Sequence, residues 1–93
     1  MKAYVIGWKN GKRPEENQKY ADMGFDHRVE KATYWETREE AQHAARVFEH
    51  WRIVMSSASG GTHVCQDFKV EERGTNEFVV HCEVLSIATK AQG

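Results

Sequence analysis

Both cysteines of the chain and two of its five histidines lie in one stretch, "THVCQDFKVEERGTNEFVVHCEV", which runs from Thr62 to Val84. Cysteine, histidine and aspartate are zinc-ligand types, and a cysteine near a histidine is also a nucleophile near its base. Four interpretations are therefore open: a metal site, a disulfide, a catalytic cysteine, or two ordinary strands that contain sulfur.

The stretch is predicted to be a β-hairpin, and the register of the two strands decides which side chains share a face. Alternating apolar residues mark both arms, and the letters "RGTN" between them are typical of a turn. The register that best separates apolar from polar side chains pairs Val70 with Phe78. Cys65 and Cys82 then point to opposite faces, so that no disulfide joins them, and Cys82 is a core residue.

The same register places a set of possible metal ligands together on the outer face: His63, Cys65, Asp67 and His81. Their spacing lacks the close ligand pairs of structural zinc sites. A solvated face on which Asp67 and His81 form a cross-strand pair is therefore favoured, and metal binding is an alternative.

A catalytic version of this face has Cys65 as nucleophile, His81 as base and Asp67 as the group that orients the base. It is disfavoured, because Glu83 opposite Cys65 would raise the pKa of the thiol rather than lower it. The sequence thus predicts no catalytic residue, no enzyme and no cofactor.

The clearest element lies before the hairpin, in "KATYWETREEAQHAARVFEHWRIVM". A short strand is predicted at Thr33 to Trp35, and Thr37 with Glu40 forms the capping-box pattern that begins a helix. The helix is expected to run for about five turns. Its apolar stripe comprises Ala41, Ala44, Ala45, Phe48, Trp51, Val54 and Met55.

These elements predict an α+β fold with a small antiparallel sheet of three or four strands, one amphipathic helix packed on one face, and a C-terminal β-hairpin. An N-terminal strand, "KAYVIGWK", is expected beside the hairpin. The chain is expected to form one domain, 1–93, with a flexible loop at Ser56–Thr62 and a frayed tail at 89–93.

Composition limits the function classes. The net charge of −1 gives no global argument for binding nucleic acid or membranes, and the longest apolar stretch is far too short to span a bilayer. With two cysteines the chain is not a disulfide scaffold, so a reducing, cytoplasmic setting is expected.

Two surfaces are candidates for binding a partner. The first is the acidic outer side of the hairpin, which could bind a protein: Asp67, Glu71, Glu72, Glu77, His81 and Glu83. The second is the basic N-terminal turn, which could bind nucleic acid through phosphate contacts and stacking: Trp8, Lys9, Lys12 and Arg13. A solvated turn beside a core tryptophan is the ordinary interpretation of the second surface.

The segment "KATYWETREEAQHAARVF", Lys31 to Phe48, resembles a pattern found in small uncharacterised α+β proteins of bacteria and phages, in which an aromatic strand leads into a helix that opens with Thr-x-Glu-Glu-Ala. The resemblance implies a bacterial or mobile-element origin. It also implies a role in binding and blocking a host complex, as anti-CRISPR proteins do. The sequence therefore predicts a non-enzymatic protein that binds a protein partner, and an open sheet edge makes a homodimer a further expectation.

Overall fold

The computed structural model describes residues 1–8, 12–17, 23–56 and 61–87. Its one α-helix is α1 (Arg38–Trp51), and a 3₁₀ helix spans Val29–Lys31. The strands are β1 (Lys2–Ile6), β2 (Gly24–Asp26), β3 (Tyr34–Trp35), β4 (Val54–Ser56), β5 (Thr62–Gly74) and β6 (Glu77–Ile87).

The strands form one antiparallel sheet, in the order β2-β1-β6-β5-β4, and β3 pairs with β6 next to the place where β1 does. The helix α1 packs against β5, β6 and β3. The architecture is therefore α+β, and the expected position of β1 beside the hairpin is confirmed. The prediction of three or four strands was wrong, because the described residues contain six strands in this sheet.

The helix begins where the capping pattern predicted. The Oγ1 atom of Thr37 accepts a hydrogen bond of 3.1 Å from the backbone N–H of Glu40, which satisfies one of the free donors at the helix start. The helix ends earlier than expected, because Arg52 adopts a left-handed conformation (φ 52°) and serves as the C-cap. The last two residues of the predicted apolar stripe, Val54 and Met55, lie in β4 instead.

The missed strand β4 also changes the expected loop at Ser56–Thr62. Ser56 and Thr62 are paired strand residues, so the connection between β4 and β5 is shorter than predicted. Residues 57–60 lie outside the described residues, as does the predicted frayed tail at 89–93.

The core centres on Phe48, which is fully buried between α1 and the sheet. Its ring contacts four other aromatic rings at centroid distances of 5.6–6.2 Å, and these belong to Trp8, Trp35, Trp51 and Phe68. Aromatic pairs at such distances contribute beyond the area that they bury. The aromatic cluster thus joins β3, α1, β5 and Trp8, which follows β1, into one core.

The three tryptophans also bind the segment 12–17. Trp8 and Trp35 donate their indole N–H groups to the carbonyl oxygen of Lys12, at 3.0 and 2.8 Å, and Trp51 donates to the carbonyl oxygen of Glu16 at 3.1 Å. Pro14 between these carbonyls is fully buried. A tryptophan N–H requires a hydrogen-bond partner when the ring is buried. The segment 12–17 supplies these partners and covers one side of the aromatic core.

The hairpin contains a β-bulge that the sequence-based register did not include. Lys69 pairs with His81 and Val70 with Val80, whereas on the other side of the bulge Gln66 pairs with Glu83. Asp67, inside the bulge, has a left-handed backbone (φ 58°). The bulge inserts one extra residue into β5 and reverses the alternation of its side chains beyond this point.

The predicted pairing of Val70 with Phe78 was also wrong, because Val70 pairs with Val80. This shift of two residues arises on the turn side of the bulge, where the register shifts a second time between Glu72 and Gly74, and it leaves Val70 on its predicted face. Cys65 lies opposite Val84 and faces α1 together with Cys82, so both cysteines are core residues. Val64 points to the opposite face, where the alternation without a bulge would have placed Cys65.

No helix in the described parts of the chain has the length and apolar character needed to cross a membrane.

The bulge can be tested by a pair of substitutions at Asp67. Asp67→Val should lower the free energy of unfolding by about 1–2 kcal/mol, because a β-branched residue is strained in the left-handed conformation. Asp67→Gly should cost clearly less, because glycine adopts this conformation freely. Both variants lose the 3.4 Å hydrogen bond from the Gln66 side chain, so the comparison isolates the backbone. Urea unfolding that gives equal losses for the two variants would contradict the bulge.

Candidate functional site

A cleft of about 390 Å³ lies on the face of the sheet that carries α1, but α1 contributes none of its lining. The central strands supply Ala3, Cys65 and Val84, which form the floor. The edge strands supply Phe25 from β2 and Met55 from β4, which form two walls. The cleft therefore exists because the 14-residue helix covers only part of this face.

The bulge in β5 helps to form this cleft. Without the inserted residue, Cys65 would point to the opposite face, and so would His63 two positions before it. With the bulge, both side chains line the cleft. The sequence pattern placed them on the outer face, and that prediction was wrong because the predicted hairpin had no bulge.

The polar groups at the cleft are engaged with neighbours. Arg28 donates to both carboxylate oxygens of Asp26, at 3.0 and 2.9 Å, and these hydrogen bonds hold the pKa of Asp26 well below its usual range. The Nδ1 atom of His63 lies 3.1 Å from the hydroxyl of Ser86. His27, largely exposed, lies beside Asp26. A cleft with an apolar floor and a few polar groups is the usual form of a binding site.

The two thiols of the chain meet in the core at the cleft floor. Cys65 and Cys82 are both buried and free, and they are hydrogen bonded to each other. Acceptance of this bond lowers the pKa of Cys65, although burial opposes the change. The same bond, together with burial, raises the pKa of Cys82 far above its ordinary value. Cys65 lines the cleft, whereas Cys82 does not.

A second polar cluster lies on the opposite face of the sheet and centres on Glu71. Its carboxylate accepts hydrogen bonds from Lys2 at 3.2 Å, Tyr4 at 3.3 Å and Arg73 at 2.7 Å, and the His81 ring lies 3.9 Å away. Burial would raise the pKa of Glu71, but the bonds from Arg73 and Lys2 outweigh it and lower the pKa. Burial, with help from Lys2, lowers the pKa of His81. Cations of the chain itself thus neutralise the Glu71 carboxylate.

The predicted acidic binding surface is not continuous in the structure. Glu71 and His81 belong to the cluster just described, and Glu83 binds the N-terminal ammonium group at 2.8 Å. Glu72 faces the other side of β5 and pairs with Arg38 at 3.1 Å. The remaining two residues are Asp67 in the bulge and Glu77 at the first position of β6. Cations of the chain itself therefore neutralise much of the charge that was expected to attract a partner.

The predicted nucleic-acid surface is also arranged differently. The Trp8 ring packs against Phe48 and Trp51 at 6.1 Å, and its N–H is bonded to the Lys12 carbonyl, so the ring is part of the aromatic core. Lys12 and Arg13 are exposed. Lys9 lies outside the described residues.

The predicted metal ligands do not come together. His63 and Cys65 face the cleft, His81 faces the opposite side of the sheet, and Asp67 lies in the bulge between them. Within the described residues, no group of three or more His, Cys, Asp and Glu side chains could hold a metal ion. The disfavoured arrangement of Cys65 with His81 and Asp67 as a catalytic set fails for the same geometric reason.

Sequence reasoning did not find the cleft, because its walls come from the strands that it missed. Phe25 lies in a segment with little apolar periodicity, and Met55 continued the helical spacing by coincidence. One signal was present: an aspartate within the apolar alternation "HVCQDFKV" can mark a bulge, since aspartate tolerates left-handed backbone better than most residues.

Comparison with protein families, with curated proteins and with solved structures found no match to this chain.

The Glu71 cluster makes a prediction about pH. A carboxylate with a lowered pKa in the folded state stabilises the protein above its unfolded-state pKa, and this stabilisation is lost as the pH falls through the folded-state value. Glu71→Gln should therefore reduce stability at neutral pH and flatten the loss of stability in acid. Glu72→Gln is the control, since Glu72 is exposed and lies on the other face. If both variants show the wild-type pH slope in urea unfolding, the cluster does not stabilise the fold as described.

Proposed function

We propose that this protein is a small, non-enzymatic binding protein whose sheet cleft holds an apolar side chain of a protein partner. The observation that carries the proposal is the concave, largely apolar cleft over Ala3, Cys65 and Val84. Its polar groups at Asp26 and His63 already have partners within the chain, so they are suited to orient a ligand rather than to transform it.

The position of the cleft favours a polypeptide as the occupant. Its two walls are β2 and β4, the strands at the two ends of the sheet order. An edge strand presents backbone N–H and C=O groups along its outer side, and an extended segment of a partner can pair with them. A polypeptide can therefore pair with an edge strand while one of its side chains enters the cleft.

The chemistry of the cleft supports binding rather than catalysis. The thiol of Cys65 is hydrogen bonded to Cys82, and the His81 ring that was considered as its base lies on the other face of the sheet. Catalytic turnover at a thiol requires a general base that activates the thiol and moves protons through each cycle, which a single stoichiometric exchange with a disulfide does not require. Inhibition of the bound partner, which the resemblance of Lys31–Phe48 implies, remains a separate prediction.

A matched pair of variants on β4 tests the cleft directly. Met55 lines the cleft, whereas its neighbour Val54 pairs with Val64 on the opposite face and is exposed. Met55→Lys should weaken binding of the neutral apolar dye Nile red by at least about tenfold, because a charge in the apolar cleft without a partner is costly. Val54→Lys should leave dye binding unchanged. Equal effects of the two substitutions, measured by fluorescence titration, would contradict the proposal.

The same variants identify the kind of partner. In affinity purification from the native host, a protein that is retained by the wild type and by Val54→Lys but lost with Met55→Lys is the expected result. If Met55→Lys retains every protein that the wild type retains, the cleft is not the binding site. If the retained material is nucleic acid whose binding weakens steeply with salt, the basic turn with Lys12 and Arg13 is the binding surface and the proposal is wrong.

A further inference from the structure

We infer that Cys65 and Cys82 form a reversible dithiol–disulfide pair, oxidised by a small disulfide that enters through the sheet cleft. The inference goes beyond the proposed binding function and does not depend on it. It rests on the placement of the two thiols, on the bulge between them and on the difference in their access to the cleft.

The two cysteines are neighbours within the core. Cys65 pairs with Val84, two positions along β6 from Cys82, so the cysteines lie diagonally across adjacent strands on the same face. In a regular antiparallel pair such a diagonal is usually too wide for a disulfide. Here the register shift between Gln66 and Lys69 lies opposite Cys82, both side chains belong to the same buried cluster, and each thiol is the main influence on the pKa of the other. The irregular backbone at this point can take up the small movement that closing the bond requires.

The two thiols differ in access. Cys65 lines the cleft, whereas Cys82 does not and is 1% exposed. An oxidant in the cleft therefore meets the Cys65 sulfur first, and Cys82 is placed to resolve the product. The lowered pKa of Cys65 supports this order, since the thiolate is the attacking species in disulfide exchange.

The reaction is two thiol–disulfide exchanges with glutathione disulfide as the oxidant. The Cys65 thiolate attacks one sulfur of glutathione disulfide, whose S–S bond breaks, and the first glutathione leaves and takes up the proton that Cys65 released. The Cys82 sulfur then attacks the Cys65 sulfur, the mixed disulfide breaks, and the second glutathione leaves with the proton from Cys82. Two cysteines are oxidised and one glutathione disulfide is reduced to two glutathiones, so atoms and electrons balance.

The experiment is intact mass spectrometry of the folded protein after incubation with glutathione disulfide, followed by reduced glutathione. The chain contains only two cysteines, so the mass identifies the product. The expected result is a monomer lighter by two hydrogen atoms, whose mass returns to the starting value in reduced glutathione. An unchanged mass, a stable glutathione adduct, a disulfide-linked dimer, or a bridge that forms only in urea would overturn the inference.

Two single substitutions test the order of attack. Cys82→Ser keeps the cleft thiol and should accumulate a glutathione adduct on Cys65, because the resolving sulfur is gone. Cys65→Ser keeps only the Cys82 thiol, which lies behind the cleft floor. This variant should form the glutathione adduct at least about tenfold more slowly than Cys82→Ser. Adducts that form at equal rates in the two folded variants would contradict the assigned order. If either variant fails to fold, the wild-type mass measurement decides alone.

Discussion

The β-bulge at Asp67 is the constraint on which the rest of the structure depends. A strand can present its side chains to the correct faces only if its alternation is continuous or is broken at a defined point. Because β5 contains one extra residue, Phe68 and Val70 on one side of the bulge and Cys65 on the other side all point into the core. The same residue moves Val64 to the opposite face, where it lies between Val54 and Leu85 on the neighbouring strands.

The core and the cleft are two consequences of one short helix. α1 covers the part of the sheet where Phe48 meets the aromatic rings, and the segment 12–17 closes this region through the tryptophan N–H groups. The remaining part of the same face is covered by no residue of α1 and becomes the cleft. The apolar stripe predicted a longer helix that continues through Val54 and Met55. The left-handed Arg52 ends the helix and lets these residues form the edge strand that bounds the cleft.

The parts of the fold that the sequence predicted correctly are those that depend on local chemistry. The Thr37 hydroxyl, the aromatic strand before it and the apolar helix face are decided by residues close together in the chain. The bulge, the end of the helix at Arg52 and the strand β2 depend on contacts between distant segments and on left-handed backbone at residues other than glycine. For the site, the inward position of Cys82 was correct because β6 is regular, whereas Cys65 was misplaced because β5 is not.

The most direct test of this account is the pairing of β5 with β6 in solution, measured by nuclear Overhauser effects between backbone protons on the two strands. The account predicts effects that join Cys65 with Val84 and Lys69 with His81, on either side of Asp67. A hairpin without the bulge, in the register that the sequence pattern favoured, would instead join Cys65 with Glu83 and Lys69 with Val79. That second set would contradict the shared face of the two cysteines and, with it, the cleft as described.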